Sequence, residues 1–309
     1  MKNLLRTTAF SLLALGVGVQ AQAQSVDCNA SCLTDIAKTY MKELSKQDYS
    51  GLPWGNPVRY SENNVGMMIG EGFWGAGPSV IDETLILPDP ETGNVLWYGI
   101  TGEHGQAAYS GIRLKVQGRK IVEVEGYHGR EGTPDLFAPA DSYTLDRTYT
   151  QNLRNNERSE RERMEALVDG WFNSRQLNDG EVFTRIADNC VQITNGVNVT
   201  SEDHWAGALA QNCKAQLEQG LYKPVDRIRA RRYPVINAET GVVVALSLED
   251  HAARYVDYTS TRGVPLKVEV EYPNTRAMLQ LFKIRNGQIE RVDGISVFSP
   301  YYIQSLWKQ

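Results

Sequence analysis

The stretch Ile112–Glu125, IRLKVQGRKIVEVE, has the pattern of a β-hairpin. Apolar and charged residues alternate from Ile112 to Val116, and Gly118 marks the turn. A second stretch of the same kind, Leu279–Asp293, LQLFKIRNGQIERVD, turns at Gly287. Each half of the chain is therefore expected to end in antiparallel strands with one buried face.

Working outward from the hairpins, the same order of five features occurs in both halves. An amphipathic helix comes first, followed by a short polar segment that ends at Val65 or Val197. A Glu-Thr-Gly turn, a strand that ends near a histidine and the hairpin complete each series. The offset between matching features grows along the chain, which predicts insertions in the second copy at Ser201–Gly220 and Asp257–Thr275. We interpret the pattern as an internal duplication.

A helix followed by a curved antiparallel sheet buries one face of the sheet against the helix and can leave an inner cavity. The predicted fold class is therefore α+β, with two tandem cone-shaped α+β barrels. The first domain is expected over residues 24–138 and the second over residues 159–309. Residues 139–158, which are poor in apolar side chains, are expected to form the linker.

The N-terminus has the organisation of a secretory signal peptide over residues 1–23. Lys2 and Arg6 precede the apolar run Ala9–Val19, and Ala21-Gln22-Ala23 fits a cleavage site. We therefore expect a periplasmic or secreted protein. Cleavage would change the formal net charge from −5 to −7, and this acidic balance argues against nucleic-acid partners. The mature chain shows no segment apolar enough to span a membrane.

Four cysteines remain after that cleavage: Cys28, Cys32, Cys190 and Cys213. An even number in an exported chain favours disulfides, and the simplest pairing joins Cys28 to Cys32 and Cys190 to Cys213. A metal site is the alternative. It is disfavoured because neither spacing matches a zinc motif and no histidine lies near either pair in the sequence.

Several segments of the chain resemble known proteins. The element pattern resembles the cone-shaped barrel of the nuclear-transport-factor-2-like superfamily, which includes ketosteroid isomerase and SnoaL-like cyclases. More narrowly, the chain resembles a family of secreted fungal and bacterial proteins without a settled activity, in the segments Cys28-x3-Cys32, Arg59–Asn63, Gly70-x-Gly72-x-Trp74, Asp188–Cys190 and Arg229–Val235. The superfamily resemblance implies a pocket and work on small organic molecules without cofactors. Apolar surroundings shift the pKa values of carboxyl and imidazole groups towards neutrality.

The candidate catalytic residues are Tyr60, Glu62, His104 and His128. Tyr60 and Glu62 lie where the opening helix leads into the sheet, as a proton donor and a general base. The alternative is that Glu62 only closes a turn. His104 ends a strand equivalent to the one ended by His251, each beside acidic residues that can orient the ring, and His128 lies near the cone mouth. Each histidine could instead be a surface or core residue.

The candidate substrate-binding residues are Trp74, Trp97, Arg113, Arg229 and His251. The tryptophans could wall a ring-shaped substrate, although core packing is favoured. The arginines could bind an anionic group, although a solvated face is favoured for Arg229.

These observations predict an exported, cofactor-independent lyase (of dehydratase or retro-aldol type) or isomerase. It would act on a small organic or carbohydrate-derived molecule by general acid–base catalysis, with no cofactor and no metal. A non-catalytic periplasmic small-molecule-binding protein and a pocketless scaffold are the alternatives. Whether the chain forms a homo-oligomer stays open. The richer set of candidate groups favours the first half as the one with the pocket.

Overall fold

The computed structural model describes residues 27–140, 143–201, 212–255, 257–268 and 270–307. The predicted signal peptide, residues 1–23, lies outside the described residues, as does much of the first predicted insertion. No helix in the described ranges is long and apolar enough to cross a membrane.

The first half opens with helix α1 (Ala30–Ser45), whose Asn29 side chain accepts a hydrogen bond from the Cys32 amide and so caps the helix. The elements that follow are β1 (Trp54–Glu62), β2 (Val65–Gly66), α2 (Phe73–Ala76), β3 (Ser79–Asp89), β4 (Asn94–Glu103), β5 (Gln106–Gln117) and β6 (Lys120–Arg130).

Two short 3-10 helices, Arg147–Tyr149 and Asn155–Glu157, lead into the second half. It repeats the order of the first with α3 (Arg161–Leu177), β7 (Ile186–Thr194), β8 (Val197–Asn198), α4 (Cys213–Glu218), β9 (Arg227–Asn237), β10 (Val242–His251), β13 (Asn274–Arg285) and β14 (Gln288–Pro300). A small hairpin of β11 (Asp257–Thr259) and β12 (Pro265–Lys267) lies between β10 and β13 and falls within the second predicted insertion.

The two large sheets have the same strand order. The described strands form one sheet in the order β2-β1-β6-β5-β4-β3 and another in the order β8-β7-β14-β13-β10-β9. Both sheets are mixed rather than purely antiparallel, because β1 runs parallel to β6 and β7 runs parallel to β14. The predicted fold class, two tandem cone-shaped α+β barrels, is confirmed, and we call the two halves the first cone and the second cone.

In each cone the opening helix covers one face of the sheet, because alternate strand residues point towards it. Tyr40 of α1 packs in one buried cluster with Trp97 of β4. Trp171 and Phe172 of α3 pack at an edge-to-face angle on Phe282 of β13. These contacts place one hydrophobic core between helix and sheet in each cone.

The opposite faces of the two sheets pack against each other. Leu96 and Tyr98 of β4 share a buried cluster with Val244 of β10 and Leu279 of β13. The two halves are therefore joined by a third core, built from the strand residues that face away from the helices.

The segment predicted as a linker, residues 139–158, is part of this third core. Tyr149 is fully buried, and its hydroxyl donates to the Leu281 carbonyl at 3.1 Å and to Asp293 Oδ2 at 2.9 Å. Each sheet lies inside one of the predicted domain ranges, 24–138 and 159–309. The domain bounds themselves stay a prediction.

Both predicted disulfides are confirmed. Cys28 is bonded to Cys32 at the start of α1, and Cys190 of β7 is bonded to Cys213 of α4. The second bond ties the short helix to the sheet of the second cone.

Candidate functional site

A cavity of about 140 Å³ opens inside the second cone. Its walls come from the end of α3, from the inner faces of β7, β10 and β13, and from loop segments that follow α4 and β10. Leu136, from the segment that follows the first sheet, completes the wall. The side chains that line the cavity include Gln192, Thr194, Val199, Leu221, Tyr222, Val225, Tyr258, Val268, Val270, Met278 and Ser296.

An ion pair between Arg175 and Glu249 forms one side of the cavity. Arg175 donates from Nε and Nη2 to Glu249 Oε2, at 3.3 and 3.0 Å. The guanidinium carbon also lies 3.7 Å from the centre of the Tyr222 ring, a cation–π contact. Glu249 is fully buried and Arg175 is 8% exposed.

The pair leaves one polar atom of each partner unused. Neither Arg175 Nη1 nor Glu249 Oε1 has a hydrogen-bond partner among the described residues, although both atoms are buried. Buried polar groups in folded proteins are nearly always satisfied, because an unmade hydrogen bond costs about 1–3 kcal/mol. These two atoms are therefore candidates for contact with a ligand.

His251 lies two residues beyond Glu249 and lines the same cavity. Alternate residues of a strand share a face and are roughly 6–7 Å apart. The Nε2 atom of His251 is buried without a hydrogen-bond partner in the described chain. Burial, with smaller contributions from Arg276 and Arg175, lowers the pKa of His251 to about 3. The imidazole is therefore neutral at physiological pH and can donate or accept a hydrogen bond.

Two residues of the neighbouring strand complete the patch. Arg276 is directly opposite Glu249 in the pairing of β10 with β13, and Asn274 is directly opposite His251. Side chains opposite each other on antiparallel strands have Cβ atoms about 4.5–5.5 Å apart. We call Glu249, His251, Asn274 and Arg276, together with Arg175, the polar patch.

Asn274 and Arg276 are each held by a contact with a neighbouring residue. Arg276 Nε lies 3.4 Å from Asp135 Oδ1, and Asn274 Nδ2 donates to the Tyr272 carbonyl at 3.0 Å. The Oδ1 atom of Asn274, which is 1% exposed, has no hydrogen-bond partner in the described ranges. The patch thus offers both donors and acceptors to a small molecule in the cavity.

The structure brings two of the four predicted catalytic residues into direct contact. The Tyr60 hydroxyl donates to Glu62 Oε1, and the Phe73 amide donates to both carboxylate oxygens, at 2.8 and 3.0 Å. Burial raises the pKa of Glu62. Tyr60 and Glu62 are not part of the wall of the second-cone cavity, and their hydrogen bonds are made within the core of the first cone.

The two first-cone histidines occupy different surroundings. His128 is buried with its ring stacked on Phe73, 3.8 Å between centres, and its Nδ1 is 2.9 Å from Ser110 Oγ. Burial holds the pKa of His128 well below its usual value. His104 is exposed in the turn between β4 and β5, with a positive φ of 49°. The structure therefore does not bring His104 into the core with His128.

The predicted equivalence of His104 and His251 is off by one residue. Counted from the matching turns at Gly93 and Gly241, the counterpart of His251 is Glu103, which forms an ion pair with Arg130. His104 lies one position further along, beyond the end of β4, and faces solvent. A shift of one residue along a strand moves a side chain to the other face of the sheet, because successive strand side chains point to opposite faces.

The other predicted binding residues, apart from His251, have partners within the protein. Trp74 and Trp97 are buried in the first cone, where Trp74 Nε1 donates to the Tyr40 hydroxyl at 3.0 Å. Arg113 donates from Nε to Glu125, and Arg229 binds Asp250 through two hydrogen bonds of 2.7 and 2.9 Å.

Sequence reasoning missed most of the polar patch. The signal in β10 is a period of two in which Val243 and Ala245 are followed on the same face by Ser247, Glu249 and His251. In α3 the apolar stripe of Trp171 and Phe172 continues into Arg175, a charged residue in a buried position. Polar residues that continue an apolar face are the pattern that could have located the site. No group of three or more His, Cys, Asp and Glu side chains in the described ranges is arranged to hold a metal ion.

Comparisons with known proteins give partial matches, which do not assign the chain to a family. Residues 157–296 match a family model described as a domain of unknown function, DUF8021. No curated protein matches the sequence. Among solved structures, the chain is similar to an NTF2-like protein from Cytophaga hutchinsonii, with 14% identity, a TM-score of 0.28 and coverage of 45% of this chain and 99% of that one.

Two fungal structures are similar over comparable lengths. AusH from Aspergillus nidulans has 15% identity and a TM-score of 0.29, and the match covers 45% of this chain and 86% of that chain. The BvnE pinacolase from Penicillium brevicompactum has 10% identity and a TM-score of 0.28, and the match covers 48% of this chain and 88% of that chain. Each of these matches spans less than half of the present chain.

Proposed function

We propose that this protein is an exported, cofactor-independent lyase or isomerase that acts on a small organic molecule in the cavity of the second cone. The observation that carries the proposal is the buried carboxylate of Glu249, a residue of the cavity wall, which is held by Arg175 through one oxygen while the other has no hydrogen-bond partner in the described chain. The two disulfides support export.

Glu249 is the general base in this proposal. The Arg175 guanidinium holds the carboxylate through Oε2, so that Oε1 is left to contact a bound molecule. A carboxylate at this place can remove a proton from a carbon atom next to a carbonyl group. The ion pair thus positions the base and leaves its second oxygen available to accept a proton.

His251 is the hydrogen-bond donor that stabilises the developing negative charge. Its low pKa keeps the imidazole neutral, and a neutral imidazole can polarise a carbonyl oxygen by donating a hydrogen bond. Proton removal by Glu249 and stabilisation of the resulting enolate at His251 are the shared first steps of isomerisation and of β-elimination. Return of the proton to another carbon would give an isomerase, whereas loss of a β-substituent would give a lyase.

The experiment follows proton exchange in D₂O, which requires no knowledge of the natural substrate. Pyruvate, phenylpyruvate, cyclohexanone and acetophenone are incubated with the protein, and NMR records deuterium incorporation next to the carbonyl group. We expect the protein to accelerate exchange for at least one of these compounds, and Glu249→Gln to reduce that rate by about 100-fold or more.

Glu131→Gln is the matched control, because Glu131 is exposed and the charge change is the same. It should exchange the probes at the rate of the unaltered protein. Equal rates for the unaltered protein and Glu249→Gln would overturn the proposal.

The alternative of a non-catalytic binding protein draws on the same cavity. A histidine with a pKa of about 3 is a poor proton acceptor, and this favours recognition over proton transfer at His251. Saturable binding without exchange of any probe would identify the binding function.

A further inference from the structure

We propose that the ligand of the second-cone cavity is a small carboxylic acid, whose carboxylate is bound between Arg175 and Arg276. This inference rests on the proposed function for the choice of cavity, and it adds the chemical class of the substrate. It follows from the donors that the polar patch leaves unused and from the charges that face the cavity.

The unused donors lie on both sides of the patch. Arg175 Nη1 is buried without a hydrogen-bond partner in the part of the chain that the structure describes. Arg276 Nε has the ion pair with Asp135 at 3.4 Å but makes no hydrogen bond within the described residues. Two guanidinium groups with free donors are suited to a planar oxyanion, which accepts several hydrogen bonds at once.

The balance of charge at the cavity is positive. Arg175, Arg276 and Lys267 line it, against the single carboxylate of Glu249. Asp135, behind Arg276, is the nearby anion, and burial raises its pKa. The two guanidinium groups are thus matched by Glu249 and Asp135, and the one positive charge in excess is that of the exposed Lys267, so a carboxylate ligand brings the net charge at the cavity to zero.

The acceptors define the rest of the ligand. Glu249 Oε1 and Asn274 Oδ1 are both buried without hydrogen-bond partners in the described ranges, so a ligand that satisfies them brings a hydroxyl group or an acidic C–H to the patch. The cavity of about 140 Å³ is close to the roughly 150 Å³ that accommodates a benzene ring in an engineered cavity. The ligand is thus a carboxylic acid of about that size with a polar group near the carboxylate.

Calorimetric binding to matched acid and amide pairs tests this inference. The pairs are lactate and lactamide, benzoate and benzamide, and mandelate and mandelamide, each titrated into the full-length mature protein up to about 10 mM. The members of each pair have nearly the same shape and differ in charge. We expect at least one acid to bind, and its amide to bind about tenfold more weakly or worse.

Two variants that each lose one positive charge show where the carboxylate binds. Arg276→Gln should weaken acid binding about tenfold and leave the amide almost unaffected, whereas Arg163→Gln, on the exposed face of α3, should change neither. Should Arg276→Gln fail to fold, the difference between acid and amide on the unaltered protein decides the question. Equal affinity for an acid and its amide, or no binding of any of the three acids, would overturn the inference.

Failure here is distinguishable from failure of the proposed function. Acid binding without proton exchange would leave the substrate class in place and reject the enzyme. Exchange of cyclohexanone or acetophenone without acid binding would support the enzyme and reject the carboxylic-acid substrate.

Discussion

In the first cone Trp97 fills the core beneath helix α1, whereas the corresponding residue of β10 in the second cone is Ala245. The two strands can be matched residue by residue because they follow the same turn, at Gly93 and Gly241. Ala245 packs in the second core with Trp171 and Phe282, and the cavity lies further along the same face of β10, at Glu249 and His251. The same strand order therefore supports different side chains at matched positions of the two cores, and in the second cone a cavity adjoins the core.

The two cones also differ in the hydrogen bonds that a buried carboxylate accepts. In the first cone both oxygens of Glu62 accept hydrogen bonds, from the Tyr60 hydroxyl and the Phe73 amide. In the second cone Glu249 has one oxygen bonded to Arg175 and the other unused. A satisfied carboxylate stabilises a core, whereas a half-satisfied one costs folding free energy that a ligand can restore. This comparison is the reason that we propose the second cone as the functional one.

The opening helices carry the same contrast. The buried positions of α1 and α3 align so that Tyr40 matches Trp171 and Leu44 matches Arg175. Near the end of the opening helix, the first cone thus has an apolar residue at the position where the second cone has a buried charged one. Substitutions in the two cones test whether these differences between the cones affect stability as we infer.

The largest expected effect follows from removing the buried charge. Arg175→Met leaves Glu249 buried without its partner, and we expect a loss of about 3–5 kcal/mol in the free energy of unfolding. The matched change Leu44→Met conserves volume and should cost less than about 1.5 kcal/mol. Urea denaturation followed by circular dichroism measures both.

The double variant Arg175→Met with Glu249→Gln checks the cause. It removes both charges, so most of the stability lost in Arg175→Met should return. If Arg175→Met were as stable as Leu44→Met, the ion pair would not be the buried interaction that we describe.

An intermediate effect is expected from removing either disulfide, and the two losses should be unequal. Cys190 and Cys213 are 23 residues apart in sequence and Cys28 and Cys32 are four apart, so the longer loop constrains the unfolded chain more. Replacing both cysteines of a pair by serine should cost about 3 kcal/mol for the long loop and about 2 kcal/mol for the short one. Denaturation midpoints of the two double variants measure the order, and the reverse order would contradict it.

The smallest effect concerns pH and the two cones' histidines. The pKa of His251 is about 3 in the folded protein, below the roughly 6.5 of an unfolded chain. The unfolded state therefore takes up the proton first, and the contribution of His251 is complete above about pH 6.5 and is lost as the pH falls towards 3. At about pH 5 the loss should reach roughly 2 kcal/mol.

His251→Gln should remove that part of the pH dependence. His104→Gln, at the exposed turn of the first cone, should leave it unchanged. Unfolding free energies near pH 7.5 and pH 5 give the comparison. A variant His251→Gln that loses as much stability on acidification as the unaltered protein would show that this imidazole is not buried in the way described.

The fold class could be predicted from the sequence because it depends on periodicity and on turns. The hairpins around Gly118 and Gly287 have clear alternation, and the disulfide pairing is the simplest one for four cysteines in a chain that is expected to be exported. The parallel pairing of β1 with β6 could not be predicted, since it joins strands far apart in sequence. Local patterns do not specify which distant strands become neighbours.

The site was harder to predict because its residues are recognisable only by what they lack. Arg175 and Arg276 are ordinary arginines in the sequence, and only the structure shows that each has a donor without a hydrogen bond in the described residues. His251 was identified because histidine is rare in this chain and lies beside acidic residues. Tyr60 and Glu62 were predicted from their place where the opening helix leads into the sheet, and the structure places them in a core where their hydrogen bonds are satisfied.

A crystal of the protein soaked with 5-bromosalicylate, which carries a hydroxyl group beside its carboxylate, would test the difference between the cones most directly, because bromine gives an anomalous signal that locates the ligand. We predict a bromine peak inside the second cone, with the carboxylate between Arg175 and Arg276, and no peak inside the first cone. A peak beside Trp97 and Glu62 in the first cone, or no peak in the second-cone cavity, would contradict the account.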